Sequence, residues 1–129
     1  MPELAPILRE LGRLEAIQRA FAELSQRTDD RRKHDMIDLR RRLSAQIAEI
    51  GKVCEPLFAE HGGPDILQQF RNIFSRMRSA AAIHQANWPA VRLGESEAEF
   101  ERSAATVREA NREFLEWTRS TIIALRARG

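Results

Sequence analysis

The side chains best able to hold a metal or attack a substrate are few and far apart. They are three histidines and one cysteine: His34, Cys54, His61 and His84. A di-iron helical bundle needs a glutamate three residues before a histidine on each of two helices, so that both ligands point inward. No histidine of this chain has a glutamate at that spacing, and none is followed by a second histidine four residues later. We therefore predict no metal site and no cofactor.

Nucleophilic and phosphate-binding chemistry is also poorly represented. Cys54 follows Ile50 by one helical turn on an apolar stripe, a position typical of a thiol that packs in a core. The pair Gly62-Gly63 lacks the preceding strand and the following lysine of a phosphate-binding loop. We predict no catalytic residue and a protein that is not an enzyme.

Composition indicates one small globular unit. The chain has 129 residues, of which 43% are hydrophobic and 31% charged, which predicts a single helical domain over residues 1–129. A single cysteine excludes an internal disulfide framework.

The early acids argue against a signal peptide, and no apolar run approaches the ~18 residues of a membrane helix. We expect a cytoplasmic protein with no membrane partner. The 19 Arg, 2 Lys and 18 Ala indicate the codon bias of a GC-rich bacterial genome.

Apolar residues recur at helical spacing in four segments. Steps of three or four connect the apolar residues of the first segment, and steps of seven dominate the other three. The predicted helices span residues 3–28, 31–60, 65–88 and 96–127. Each apolar stripe has about three residues per two turns, which is wide enough for a bundle core. We predict an all-α fold, a four-helix up-down bundle.

The breaks between these helices differ in strength. Gly62-Gly63-Pro64 is a strong stop and restart, and Trp88-Pro89 begins a second clear break that ends in a predicted capping box over residues 96–99. The first break, near residues 27–34, contains neither Gly nor Pro. The alternative is therefore one long bent helix of about 55 residues, which would form a coiled-coil homodimer.

Charge is unevenly distributed along the chain. Residues 65–93 hold four Arg and one acid, whereas residues 95–119 hold seven acids and four Arg. A short linker makes these two helices antiparallel neighbours, and their opposite charge favours ion pairs between them. Residues 27–42 hold seven Arg or Lys but also four Asp, and mixed charge at helical spacing is typical of a solvated face. A nucleic-acid-binding regulator is thus an alternative rather than the main prediction.

Two short resemblances carry further alternatives. The run Arg32-Lys33-His34-Asp35-Met36 resembles the histidine-acid start of histidine-kinase dimerisation helices, which implies a phosphotransfer bundle with His34 as acceptor. The run from Arg41 to Lys52 resembles the end of the first helix of all-helical chorismate mutases, and residues 74–85 are similar to their last helix. That resemblance implies a cofactor-free enzyme, in which Arg41, Lys52 or Gln85 should line a cavity. The Asp-x-x-Arg-Glu motif of the family's middle helix is missing between Lys52 and Asp65.

The loop after Trp88 is the predicted partner contact. Tryptophan and arginine are the residues most enriched at interface hot spots. The predicted partner-binding residues are Arg71, Arg78, Trp88, Val91 and Leu93. We expect a non-catalytic protein–protein interaction module, such as an adaptor, an export-type chaperone or a small regulator, that presents a helical groove to another protein.

Overall fold

The computed structural model describes residues 4–128, and it confirms the predicted all-α four-helix bundle. The helices are α1 (Leu4–Ser25), α2 (Arg32–His61), α3 (Gly63–Asn87) and α4 (Glu97–Arg128), with a short 3-10 turn at Ala90–Arg92. Consecutive helices pack against each other, whereas α1 and α4 touch much less. The predicted helix start at residue 3 lies outside the described residues.

The predicted break between the first two helices is confirmed, and α1 and α2 are separate helices. Arg27 holds the turn together because its guanidinium bonds both carboxylate oxygens of Asp29 at 2.7 Å and reaches Asp35 at 2.8 Å. The Asp29 carboxylate also accepts the backbone N–H of Arg31 at 3.2 Å. The side chain of Asp29 thus supports the start of α2 without being its N-cap. The bent-helix alternative is wrong for this chain.

The break between α2 and α3 is tighter than the sequence predicts. A single residue, Gly62, separates the two helices, and α3 begins at Gly63 with a φ of 78°. A Cβ on Gly62 would lie 2.9 Å from the Phe58 carbonyl oxygen. Glycine is needed at both positions, at Gly62 for space and at Gly63 for a left-handed backbone.

The capping box predicted before α4 is not formed. Ser96 has a φ of 45°, in the left-handed region, whereas an N-cap residue normally has an extended backbone. Its carbonyl oxygen accepts the Phe100 N–H at 3.0 Å and so opens the helix. The left-handed residue follows Gly94, whose φ is 100°, so the chain reverses sharply just before α4.

Aromatic residues fill the core where α2, α3 and α4 meet. Phe70 is fully buried, and its ring centroid lies 5.1 Å from Phe58, 5.4 Å from Phe74 and 6.2 Å from Phe114. Trp117 closes this group with an edge contact to Phe58 at 5.5 Å. Offset and tilted ring pairs at these separations add to the apolar burial that drives folding.

The charge asymmetry between α3 and α4 does not become ion pairs among residues 4–128. Acids of α4 pair instead within their own helix, as in Arg108–Glu101 at 2.5 Å and Arg112–Glu116 at 2.8 Å. Glu97 at the start of α4 pairs with Arg32 of α2 at 3.5 Å. Arg119 of α4 reaches across to Glu15 of α1 at 2.6 Å, and this ion pair lowers the pKa of Glu15. α3 and α4 are therefore neighbours, as predicted, but the expected ion pairs between them are not formed by the described residues.

Across residues 4–128, no helix carries an apolar stretch long enough to cross a bilayer.

Candidate functional site

The loop predicted to contact a partner is packed inward at two of its three positions. Trp88 and Leu93 are each only 8% exposed. The Trp88 ring makes an edge contact with Phe100 at 5.6 Å, and Arg92 covers its other side at 4.3 Å from the ring centroid. These residues seal one end of the bundle. Val91 is 74% exposed, and it is the loop residue that remains accessible.

Arg71 and Arg78, the other two predicted contact residues, are both exposed on α3. Arg71 bonds Glu55 of α2 at 2.5 and 3.0 Å. Arg78 lies over the Phe74 ring at 5.4 Å and makes no ion pair with any described residue. That Arg71 and Arg78 contact a partner stays a prediction. Arg78 lines a surface groove.

That surface is a groove between α2 and α3, which we call the partner groove. Its α2 side is formed by small residues one turn apart, Ser44, Ala48 and Gly51, and its volume is about 440 Å³. Its α3 side carries Phe74 and Arg78, followed by Ala81, Ala82 and Gln85. The small side chains of Ser44 and Ala48 leave the backbone of α2 close to the surface of the groove.

Gly51 has a local reason to be glycine. A Cβ at this position would lie 3.0 Å from Cζ of Phe74, which is tight for a carbon–carbon contact. The bare backbone lets the Phe74 ring lie across α2 while remaining partly exposed in the partner groove. The ring therefore serves both the core, by stacking on Phe70, and the surface.

The rim of the partner groove is positively charged. Glu55 is neutralised by Arg71, which leaves Arg78 without an acidic partner among the described residues. Arg41 and Lys52 are exposed elsewhere on α2 and do not line the groove. The unpaired charge on the lining of the groove is therefore that of Arg78.

A second concavity, which we call the four-helix cleft, lies near the end of the bundle where α1 ends. It is lined by Gln18 of α1, Arg40 of α2, His84 of α3 and Asn111 of α4, and it encloses about 80 Å³. Apolar side chains, including Phe21, Met36, Phe100 and Val107, form the rest of its wall. Polar groups from four helices thus converge on one mainly apolar space.

His84 is held neutral in this cleft. Its Nδ1 lies 2.6 Å from the Ser103 hydroxyl oxygen, and its ring packs on Phe100 with centroids 5.2 Å apart. Burial, followed by the nearby charge of Arg40, lowers the pKa of His84 to about 4. Cys54 is inert for a related reason, since burial raises the pKa of its thiol to about 12.

The residues behind the other sequence alternatives are placed as follows. His34 is exposed in the first turn of α2. Of the three residues required by the chorismate mutase resemblance, Gln85 lines both the partner groove and the four-helix cleft, whereas Arg41 and Lys52 line neither. Arg32, within the basic segment, is buried and bonds the Ser25 carbonyl at 3.3 Å.

The sequence did not lead us to Arg40, the arginine of α2 that lines the four-helix cleft. It is the first of three consecutive arginines, and helical phase alone turns it inward beside the buried Leu39 and Leu43 while Arg41 and Arg42 face solvent. The phase of the apolar stripe could have identified it. The small residues of the partner groove gave no such signal, because alanine and serine are also common on solvated helix faces.

No known protein family, curated protein or solved structure matches this chain. In the part of the chain that the structure describes, no three His, Cys, Asp or Glu side chains are grouped so as to hold a metal ion.

Proposed function

We propose that this chain is a non-catalytic interaction module that binds another protein by accepting an acidic amphipathic helix in the partner groove. The observation that supports it most is the combination of small, exposed residues at Ser44 and Ala48 with a partly exposed aromatic ring and a basic rim. Adaptors, export-type chaperones and small regulators of bacterial cytoplasm are the kinds of protein to which such a module belongs.

The shape of the groove supports a helix as the occupant. Ser44, Ala48 and Gly51 follow one another at steps of four and three, which places them along one face of α2. A partner helix lying along this face would place apolar residues at i, i+3, i+4 and i+7 against the partly exposed Phe74 ring and the exposed methyl groups of Ala48 and Ala82. The groove is therefore suited to a rod-like ligand.

The charge of the rim supports an acidic occupant. Arg78 is exposed, lines the groove and has no ion pair with a described residue. A glutamate or aspartate on the outer edge of the docked helix would meet this cation. Such rim charges contribute more to the association rate and to partner choice than to affinity.

The test is a substitution that fills the partner groove and leaves the buried core unchanged. Ala48→Trp places an indole in the groove, and Ala45→Trp places the same side chain on an exposed position of α2 that does not line it. We expect the wild type and Ala45→Trp to capture the same protein from the native lysate, and Ala48→Trp to lose it by about tenfold or more. Mass spectrometry at moderate and high salt identifies and quantifies the captured protein.

Two results would reject the proposal. One is capture of the same protein by Ala48→Trp and Ala45→Trp in equal amounts, which would place the contact elsewhere. The other is capture of nucleic acid alone, released steeply by salt, which would favour the nucleic-acid-binding alternative. Circular dichroism of both variants establishes that the helices are intact before capture is compared.

A further inference from the structure

The four-helix cleft contains an arginine without an acidic partner. Arg40 is partly buried and forms neither an ion pair nor a hydrogen bond with any residue between 4 and 128. The acid that lines the cleft, Glu101, is bonded to Arg108 at 2.5 Å. The Arg40 guanidinium is only partly screened from water, and because no described acid pairs with it, it is available to an anion from outside the chain.

Two more polar atoms in the cleft lack partners. The Gln18 side-chain nitrogen and the Asn111 side-chain oxygen are both buried, and neither is hydrogen-bonded within the described residues. Asn111 as a whole is only 3% exposed. A buried polar atom left unsatisfied disfavours the folded state. Both residues belong to the wall of the cleft, Gln18 on α1 and Asn111 on α4.

The rest of the cleft is apolar and small. Phe21, Met36, Phe100 and Val107 line it, and its volume of about 80 Å³ exceeds the space that one water molecule needs. These walls fit the short hydrocarbon part of a ligand. His84 adds no positive charge near neutral pH, and Arg108, which also lines the cleft, is paired with Glu101. The unpaired positive charge in the cleft is therefore that of Arg40.

We propose that the four-helix cleft binds a small organic carboxylic acid, with its carboxylate on Arg40 and its apolar body between Phe21 and Phe100. This site is separate from the partner groove, although Leu43, Ala81 and Gln85 line both. It does not depend on the proposed function, because the arginine and the two unsatisfied atoms lie in the cleft whether or not a protein occupies the groove.

The experiment is an NMR titration of the full chain with hexanoate and, separately, with the uncharged analogue hexan-1-ol. We expect hexanoate to shift the amide signals of cleft residues and the Arg40 Nε–H signal, with a Kd of about 10 mM or below. Hexan-1-ol should bind about tenfold more weakly, because it lacks the charge-assisted hydrogen bonds to the guanidinium. Equal binding of the two compounds, or no shift with hexanoate at about 10 mM, would overturn the proposal.

Matched arginine variants locate the carboxylate. Arg40→Gln should weaken hexanoate binding by about tenfold or more, whereas Arg41→Gln, one residue along and exposed, should leave it unchanged. Equal loss in both variants would assign the effect to general surface charge, and no loss in Arg40→Gln would remove the arginine from the site. The comparison of hexanoate with hexan-1-ol on the wild type needs no variant, so it stands even if Arg40→Gln unfolds.

Discussion

Phe70→Ala is expected to destabilise the bundle by about 3 to 5 kcal/mol, the usual cost of removing a fully buried aromatic side chain. The ring is completely buried and lies within 5.1 to 6.4 Å of four other aromatic rings, those of Phe58, Phe74, Phe114 and Trp117. Its loss leaves a cavity between three helices, and the tilted ring contacts disappear with it. The free energy of unfolding from urea denaturation measures the effect.

The matched control lies on the same helix. Ile83 is 61% exposed, so Ile83→Ala removes little buried surface and should change the free energy of unfolding by less than about 0.5 kcal/mol. A domain of this size is typically stable by about 5 to 15 kcal/mol, so Phe70→Ala should leave only a marginally folded protein. A Phe70→Ala variant within about 1 kcal/mol of the wild type would mean that the aromatic cluster does not hold the three helices together.

The second large effect is a loss of stability in mild acid that comes from His84. Its pKa of about 4 in the folded protein lies below the ordinary value of about 6.5 in an unfolded chain. As the pH falls below about 6.5, the unfolded chain takes up a proton that the folded protein does not. The folded state is therefore disfavoured progressively as the pH falls towards 4, and no such loss occurs above about pH 7.

Urea denaturation at two pH values isolates this contribution. Between about pH 7 and pH 5 the wild type should lose about 1 to 2 kcal/mol more than His84→Gln, since a shift of one pKa unit corresponds to about 1.4 kcal/mol. Glutamine keeps a hydrogen-bonding group for Ser103 but does not titrate. Equal losses in the two proteins would mean that His84 takes up its proton as easily when folded as when unfolded.

Much of the fold follows from short-range rules. Helical spacing of apolar residues placed four helices within a few residues of their observed ends, and Gly62-Gly63-Pro64 correctly marked a reversal. The details of turns were less predictable, because they depend on contacts between distant residues. Ser96 matches a capping-box pattern, yet its backbone is left-handed, two residues after the left-handed Gly94.

The candidate sites were harder to predict than the fold, and the reason is geometric. Tryptophan is common at protein interfaces, but the Trp88 ring is buried against Phe100 and closes the end of the bundle. Arg40 is one of three identical neighbours, and only its position relative to Leu39 and Leu43 turns it into the four-helix cleft. The partner groove depends on which faces of α2 and α3 are left uncovered, which composition and spacing do not specify.

Site-specific photocrosslinking tests the central claim, that a protein partner occupies the partner groove, most directly. A photoreactive amino acid at Ala82, which is exposed and lines the groove, should crosslink to the captured partner, and peptide mapping should place the crosslink in an acidic amphipathic helix of that partner. The same amino acid at Ala124, exposed on α4, should give little or no crosslink. Equal or stronger crosslinking from Ala124 would contradict the account and move the partner surface away from α2 and α3.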